Sequence, residues 1–351
     1  MSVKNKPKTL KYRSIAKSLS LWFQTHARTL PWRSHPDPYS VWISEIMLQQ
    51  TQVTAVLPYF KKFMTHFPTV QDLAHASLDE VYVLWAGLGY YSRARNLHRG
   101  AITIAERLQN GQGFPQNREE WLLIPGVGEY TAGAICSIAF SQREPIVDGN
   151  VVRVISRLQS IKTFDSKKTV IWKHALALVK VPSVQPEVLN QSLMELGALI
   201  CKPKNPNCSE CPVSQYCSGQ KYPERYPAPK LKKEWKLLQE HKWILIHKEN
   251  LSGLRVYFEK NKKGIWREGL WDFPNAGVIL GLKTAKVKEE FNLRYVVTTH
   301  KIERKHTVLE LTAKGLGRLQ LNGSWFSTHD LPGVPAPVKK AILKLLKTRE
   351  S

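Results

Sequence analysis

The 351-residue chain carries 52 Lys and Arg against 28 Asp and Glu, a formal net charge of +24, with 42% hydrophobic residues. That length suits about two domains with cores of their own, and no apolar run reaches the length of a membrane span. So basic a chain calls for a polyanionic partner, and lysines and arginines interspersed with Trp and Tyr favour nucleic acid over a lipid surface. The N-terminal MSVKNKPKTLKYRS is basic but lacks the apolar core of a signal peptide, so a cytosolic location is expected.

In chain order, Ile15, Leu19, Trp22 and Phe23 share a helical face and predict a helix over residues 10–28. LPWR breaks it, and HPDPYS leads into the next helix with Ser40 as the expected N-cap. That helix holds VWISEIMLQQTQV, residues 41–53, where Glu45 shares a face with Val41, Trp42 and Leu48. A carboxyl there is either a tolerated half-exposed side chain or a group whose pKa is meant to rise. Gln49, Gln50, Thr51 and Gln52 then interrupt the apolar pattern, as expected where a chain meets a polar ligand. A helix over 55–67 follows, and two more flank Gly87-Leu88-Gly89 within 78–108. Tyr90, Tyr91, Arg93, Arg95 and Arg99 suit base stacking and phosphate contact, although Tyr91 fits a core and some arginines a solvated face equally well.

Residues 121–153 are the most informative stretch. An apolar run meets Pro125-Gly126-Val127-Gly128, and a helix follows through Thr131, Ala134, Ile135 and Ile138. Both glycines are expected to take φ > 0, and the first-turn N–H groups of the next helix form an anion site that suits a DNA phosphate. Asp148-Gly149-Asn150 precedes an amphipathic helix through Val151, Val154, Ile155 and Leu158. Taken alone, Asp148 is as readily a helix N-cap and the glycine pair as readily an ordinary turn. Helical patterns at 166–180 and 187–200 complete an all-α first part.

Four of the five cysteines follow, spaced Cys201-x6-Cys208-x2-Cys211-x5-Cys217, while Cys136 reads as a small buried hydrophobe. Four soft ligands imply one metal centre, and the residues alone leave zinc and iron–sulfur both open. The Pro- and Lys-rich 218–240 reads as linker. Beyond it WILIH, LRVYFEK and RYVVTTHKI read as strands, and VKEEFNL (287–293) and APVKKAILKLLKT (336–348) as helices, an α+β domain.

The hairpin, Asp148 and the cysteine spacing together resemble the endonuclease III, or helix-hairpin-helix, superfamily of DNA glycosylases, with adenine DNA glycosylases the nearest match over roughly residues 20–220. The resemblance implies an all-α glycosylase domain over 1–220 with a 4Fe-4S loop at 201–217, a linker over 221–240 and a Nudix-like α+β domain over 241–351. GLWDFPNAG (269–277) and the closing LPGVPAPVKKAILKLL carry the Nudix-like part. AKVKEEFNL, with only Glu289 and Glu290, lacks the acidic helix of a pyrophosphohydrolase.

By the same resemblance Glu45 protonates the leaving adenine, Asp148 stabilises or attacks the sugar cation, Asn150 orients the acid, and Tyr130 places a hydroxyl by the sugar. Gln50 and Tyr90 fill the gap left by a flipped base, and Gln49, Arg93, Gly126 and Gly128 contact DNA. Only His306 of Arg304-Lys305-His306 matches the Phe-Ser-His loop that reads 8-oxoguanine. Tyr130 stands where Schiff-base relatives carry lysine, which implies a monofunctional enzyme. The implied partner is duplex DNA with adenine opposite 8-oxoguanine or guanine, bound by a monomer in the bacterial cytosol at the nucleoid. A thymine or oxidised-pyrimidine glycosylase, a non-catalytic iron–sulfur DNA binder and a redox-sensing regulator are the alternatives, the last leaving Glu45 and Asp148 dispensable.

Overall fold

The computed structural model describes residues 8–34, 36–162, 168–228, 234–249, 253–262, 264, 267–277, 285–297, 299–312 and 322–350. The chain divides into two compact units, Met1–Ala74 with Arg99–Leu231 and His75–His98 with Lys232–Ser351. The described helices run α1 (Lys8–His26), α2 (Pro31–Ser34), α3 (Pro38–Leu48), α4 (Val53–His66), α5 (Val70–His75), α6 (Leu78–Trp85) and α7 (Tyr91–Gln109). They continue as α8 (Arg118–Leu122), α9 (Glu129–Phe140), α10 (Gly149–Leu158), α11 (Lys168–Val179) and α12 (Pro186–Leu199).

The described elements of the first unit are all helices, as the 3.6-residue patterns predict. α3 is its central rod, because every residue from Tyr39 to Met47 is buried. A helix apolar on all sides can only be stable when other helices surround it. Its N-cap is Asp37, whose carboxylate accepts from Tyr39 N and Ser40 N at 2.9 and 3.0 Å. The expected cap, Ser40, lies inside the helix instead, since Pro38 has the fixed φ that suits the first helical position. A second core joins Ile15, Leu19 and Trp22 of α1 to Val151, Val154, Ile155 and Leu158 of α10 and Leu189, Leu193 and Leu196 of α12.

Among its described residues the second unit contains a six-stranded sheet: β1 (Lys236–Glu249), β2 (Gly253–Lys260), β3 (Trp271–Asp272), β4 (Lys286–Val297), β5 (His300–Glu310) and β6 (Ser324–Ser327). The order is β3-β2-β1-β5-β4, with β6 on β2. β1 and β5 run parallel and the other pairs antiparallel, so the sheet is mixed. A closing helix, α13 (Ala336–Glu350), packs Val338, Ala341, Ile342 and Leu345 on Ile244, Ile246, Phe258 and Val308 of one sheet face.

Two expectations need correction here. Residues 287–293, read as a helix, lie in β4: Phe291 is buried, Asn292 exposed, Leu293 half-buried and Arg294 exposed. That period of two, locked by the antiparallel register Phe291↔His306 and Leu293↔Arg304, overrides the helical propensity of Lys-Glu-Glu. The linker expected over 221–240 ends early, because strand pairing starts at Lys236; its residues 229–233 lie outside the described ones.

Leu193 is fully buried between helices, so Leu193→Ala should lower unfolding free energy by about 3 kcal/mol, transfer and cavity terms combined. Leu123, 77% exposed, should shift it by no more than about 0.5 kcal/mol on the same substitution. Urea unfolding of both variants checks the contrast.

Candidate active site

A cleft of about 1270 Å³ opens in the first unit, lined by α3, the turn after it, the α8–α9 hairpin, the start of α10 and one face of α12. Glu45, Gln49, Gln50, Gly126, Gly128, Tyr130, Asp148 and Asn150 all line it. Residues scattered over more than a hundred positions of sequence therefore meet in one place.

The hairpin is built by local rules. Asn117 caps α8 by accepting from Glu120 N at 2.9 Å, and buried Trp121 packs against Trp42 of α3. Val127 N donates to Ile124 O at 3.1 Å, which closes the turn over Gly126 at φ 82°, where a side chain would be strained. Gly128 does not share that conformation. It is the extended N-cap of α9, and no side chain caps the first-turn N–H groups. A Cβ there would meet nothing within 4 Å, so a ligand could approach the backbone closely.

From that first turn Tyr130 OH donates to Glu45. Glu45 is 3% exposed, and burial pushes its carboxyl from 4.5 up to about 7. The bond from Tyr130 works against this shift and the charge of Asp148 works with it. Asp148 is the N-cap of α10, as one reading of the sequence has it, and it also lines the cleft: Val151 N donates to one carboxylate oxygen at 2.7 Å and Asn150 Nδ2 to the other at 2.8 Å. Burial raises its pKa too, but both donors favour the charged form. Two carboxyls in one cleft thus differ in what surrounds them: one meets apolar helix and a hydroxyl, the other meets N–H groups.

Asn190 and Gly197 of α12 place Asp148, and the sequence signalled neither. Asn190, 1% exposed, donates to Ser137 Oγ and Glu144 O and accepts from Ile146 N, which fixes the extended segment that delivers Asp148. Gly197 packs so closely that a Cβ would sit 2.5 Å from Asn150 Cβ. Arg28, Arg33 and Glu195 were also missed. Burial alone would raise the Glu195 pKa, but hydrogen bonds from Arg28 at 2.6 Å and Arg33 at 2.8 Å reverse the shift. A buried acid flanked by two arginines is a spatial pattern, invisible in sequence.

The remaining expected site residues divide. Gln49 Nε2 donates to Thr131 Oγ1 at 3.2 Å, and Gln50 is exposed at the cleft with left-handed φ 57°. Tyr90, at φ 48° and 40% exposed, belongs to the segment grouped with the second unit. Arg93 is buried, contrary to the expected phosphate contact. Its guanidinium donates to Leu88 O and Gly89 O and stacks over Trp85 and Tyr90, so it holds the turn that presents Tyr90. His306 is likewise misassigned as a DNA contact. In β5 it alternates with Lys305, so it points into the core and stacks on Phe291, while burial lowers its pKa to about 4. Arg304 is equally buried, its guanidinium bound to Asp272 and Glu240. Only Lys305 of the three is exposed.

The four clustered cysteines line one small pocket. Arg157 closes it: Nη1 donates to Cys201 Sγ at 3.2 Å and to Lys202 O at 2.8 Å. Four soft donors beside a buried cation suit an anionic metal–thiolate group. Arg153 ties this loop to the cleft by donating to Cys201 O and to Asn150 Oδ1.

Gly197→Ala should destabilise the first unit by about 1–3 kcal/mol through overpacking. The Asn150–Asp148 bond should loosen with it, read as faster amide exchange at Val151 N–H than in wild type.

Comparison with known proteins gives the family. Residues 43–176 match the model of the HhH-GPD superfamily of base excision DNA repair proteins, and residues 201–217 match the iron-sulfur binding domain of endonuclease III. The adenine DNA glycosylase of Buchnera aphidicola (from Schizaphis graminum) is 35% identical over 347 residues, covering 93% of this chain and 96% of that protein. The human adenine DNA glycosylase is 46% identical over 220 residues, 59% of this chain and 40% of the human protein. Among solved structures, a thermostable thymine-DNA glycosylase aligns with TM-score 0.55 and 29% identity over 62% of this chain and 99% of its own. An endonuclease III trapped on DNA aligns with TM-score 0.52 at 22% identity over 62% of this chain and 98% of its own, a likeness of fold. The match over 201–217 marks a 4Fe-4S cluster, and the chain belongs to the adenine DNA glycosylase family of base excision repair enzymes.

Proposed function

We propose that this glycosylase excises adenine mispaired with 8-oxoguanine or guanine, leaving an abasic site without cutting the strand. The observation that carries the reading is the pair of carboxyls in one cleft, Glu45 raised to about 7 by burial and Asp148 held by N–H donors. The flipped nucleotide enters the cleft while Gln50 and Tyr90 fill the gap, and the N-terminus of α9 at Gly126–Gly128 seats a phosphate. Glu45 gives its proton to adenine N7 as the N-glycosidic bond lengthens, so the base leaves neutral. Asp148 faces the cationic sugar, and water completes hydrolysis on it. Asn150 keeps the Asp148 carboxylate turned to the sugar, and Tyr130 orients the acid. Cys201, Cys208, Cys211 and Cys217 would hold the cluster, whose iron–thiolate bonds would close the 201–217 loop. The second unit is proposed as a Nudix-like domain that reads the opposite base, with Arg304 and His306 serving its core.

No lysine is found among the described residues that line the cleft, which supports hydrolysis over Schiff-base chemistry. The likeness to a thymine-DNA glycosylase makes thymine excision the second reading.

Single-turnover assays on end-labelled duplexes with adenine opposite 8-oxoguanine, G, C or T, and with thymine opposite G, separate these. Breaks only after alkali, at adenine opposite 8-oxoguanine or G, are expected. Alkali-independent breaks, or release of thymine instead, would contradict the proposal.

The rate should fall as pH rises through about 7, because Glu45 must hold a proton. Tyr130 stabilises the charged carboxylate, so Tyr130→Phe should move that fall to higher pH. Stability follows the same sign. Glu45 has a raised folded pKa, so its contribution is full below 4.5 and lost as pH passes about 7. Rate and unfolding profiles of Glu45→Gln, flat across that window, check both statements.

A further inference from the structure

The first turn of α9 grips the end of α3 at two neighbouring points. Tyr130 OH donates to Glu45, and Thr131 Oγ1 accepts from Gln49 Nε2 at 3.2 Å. Glu45 and Gln49 stand four residues apart, on one face and one turn from each other. Thr131 is 1% exposed, so its hydroxyl lies where a lost partner is costly.

Gln49 is also the C-cap at which α3 stops. The next residue, Gln50, takes φ 57° before α4 begins at Val53. A left-handed non-glycine residue persists only where its surroundings over-determine it. Thr51 N donates to Leu48 O and Thr51 Oγ1 to Gln49 O, which closes the turn on itself. The bond from Gln49 to Thr131 ties this turn to the hairpin.

We infer that Thr131 is a positioning residue for base flipping: its bond to Gln49 fastens the 49–52 turn to the hairpin and so presents Gln50 to the duplex. One helical turn then serves three tasks. Gly128 leaves N–H groups open for phosphate, Tyr130 holds the acid, and Thr131 holds the wedge. Seating the phosphate and presenting the wedge become one event. The inference rests on the glycosylase reading above, which gives Gln50 its place in the opened duplex.

The test uses the full-length, cluster-loaded protein and a duplex carrying 2′-fluoro-2′-deoxyadenosine, which resists cleavage, opposite 8-oxoguanine. A neighbouring 2-aminopurine brightens when the target base leaves the stack. Thr131→Val should reduce the brightening at saturating protein, and the single-turnover rate on cleavable duplex, by about two- to tenfold, the range for one neutral hydrogen bond. The position of the pH-dependent fall should not move. Thr131→Ser, which keeps the hydroxyl, should restore wild-type values. Gln49→Met, at a half-buried site, should reproduce the loss, and the double variant should be no worse than either single one. Wild-type flipping by Thr131→Val, equal failure of Thr131→Ser, or additive losses would overturn the inference. Should Thr131→Val not fold, unimpaired flipping by Gln49→Met would overturn it by itself. A wild type that neither flips nor cleaves any adenine duplex removes the parent reading as well. A wild type that does both, matched by the variants, removes the tie alone.

Discussion

A carboxyl group kept out of water is the constraint on which the site depends. Glu45 sits on α3, whose residues from Tyr39 to Met47 are all buried, so the helix that anchors the first unit also withholds solvent from the acid. Charging that carboxyl inside the fold is unfavourable, and the group keeps its proton to about pH 7. Core packing and acid–base chemistry are therefore one property of one helix. A more exposed α3 would weaken the fold and return Glu45 to an ordinary carboxylate.

The second carboxyl gains its role by contrast. Asp148 is as much within the cleft, yet it faces the open N-terminus of α10 and the amide of Asn150. Helix N-termini favour negative charge, so the two carboxyls differ in how readily they hold charge without any difference in their own chemistry. Tyr130 mediates. Its hydroxyl bonds Glu45, and a lysine in its place would put a cation against that carboxyl and favour its charged form.

Most of the first unit was legible because its signals are local. Helical periodicity, the Pro-Gly-Val-Gly turn, the cysteine spacing and the Asp148 cap each need only a few adjacent residues. Glu45 was legible as a carboxyl out of place on an apolar face. What was not legible is spatial. Asn190, Gly197 and the Arg28–Glu195–Arg33 cluster act across 44 or more positions of sequence, and nothing in their neighbourhoods marks them. The second unit misled for a related reason. Lys-Glu-Glu favours helix locally, but pairing with β5 decides the segment, and the same strand alternation turns Arg304 and His306 inward. Arg93 shows the limit of composition: an arginine after a glycine turn can serve the turn's own carbonyls.

The most direct test of the account is the titration of Glu45 itself. Carboxyl-carbon NMR of the full-length protein labelled at glutamate, with the resonance assigned through Glu45→Gln, reads its protonation without any substrate. The account predicts one glutamate that titrates near 7 and vanishes in the variant. A Glu45 resonance titrating near the ordinary 4.5 would mean that the cleft does not hold the proton, and the division of labour between the two carboxyls would fall with it.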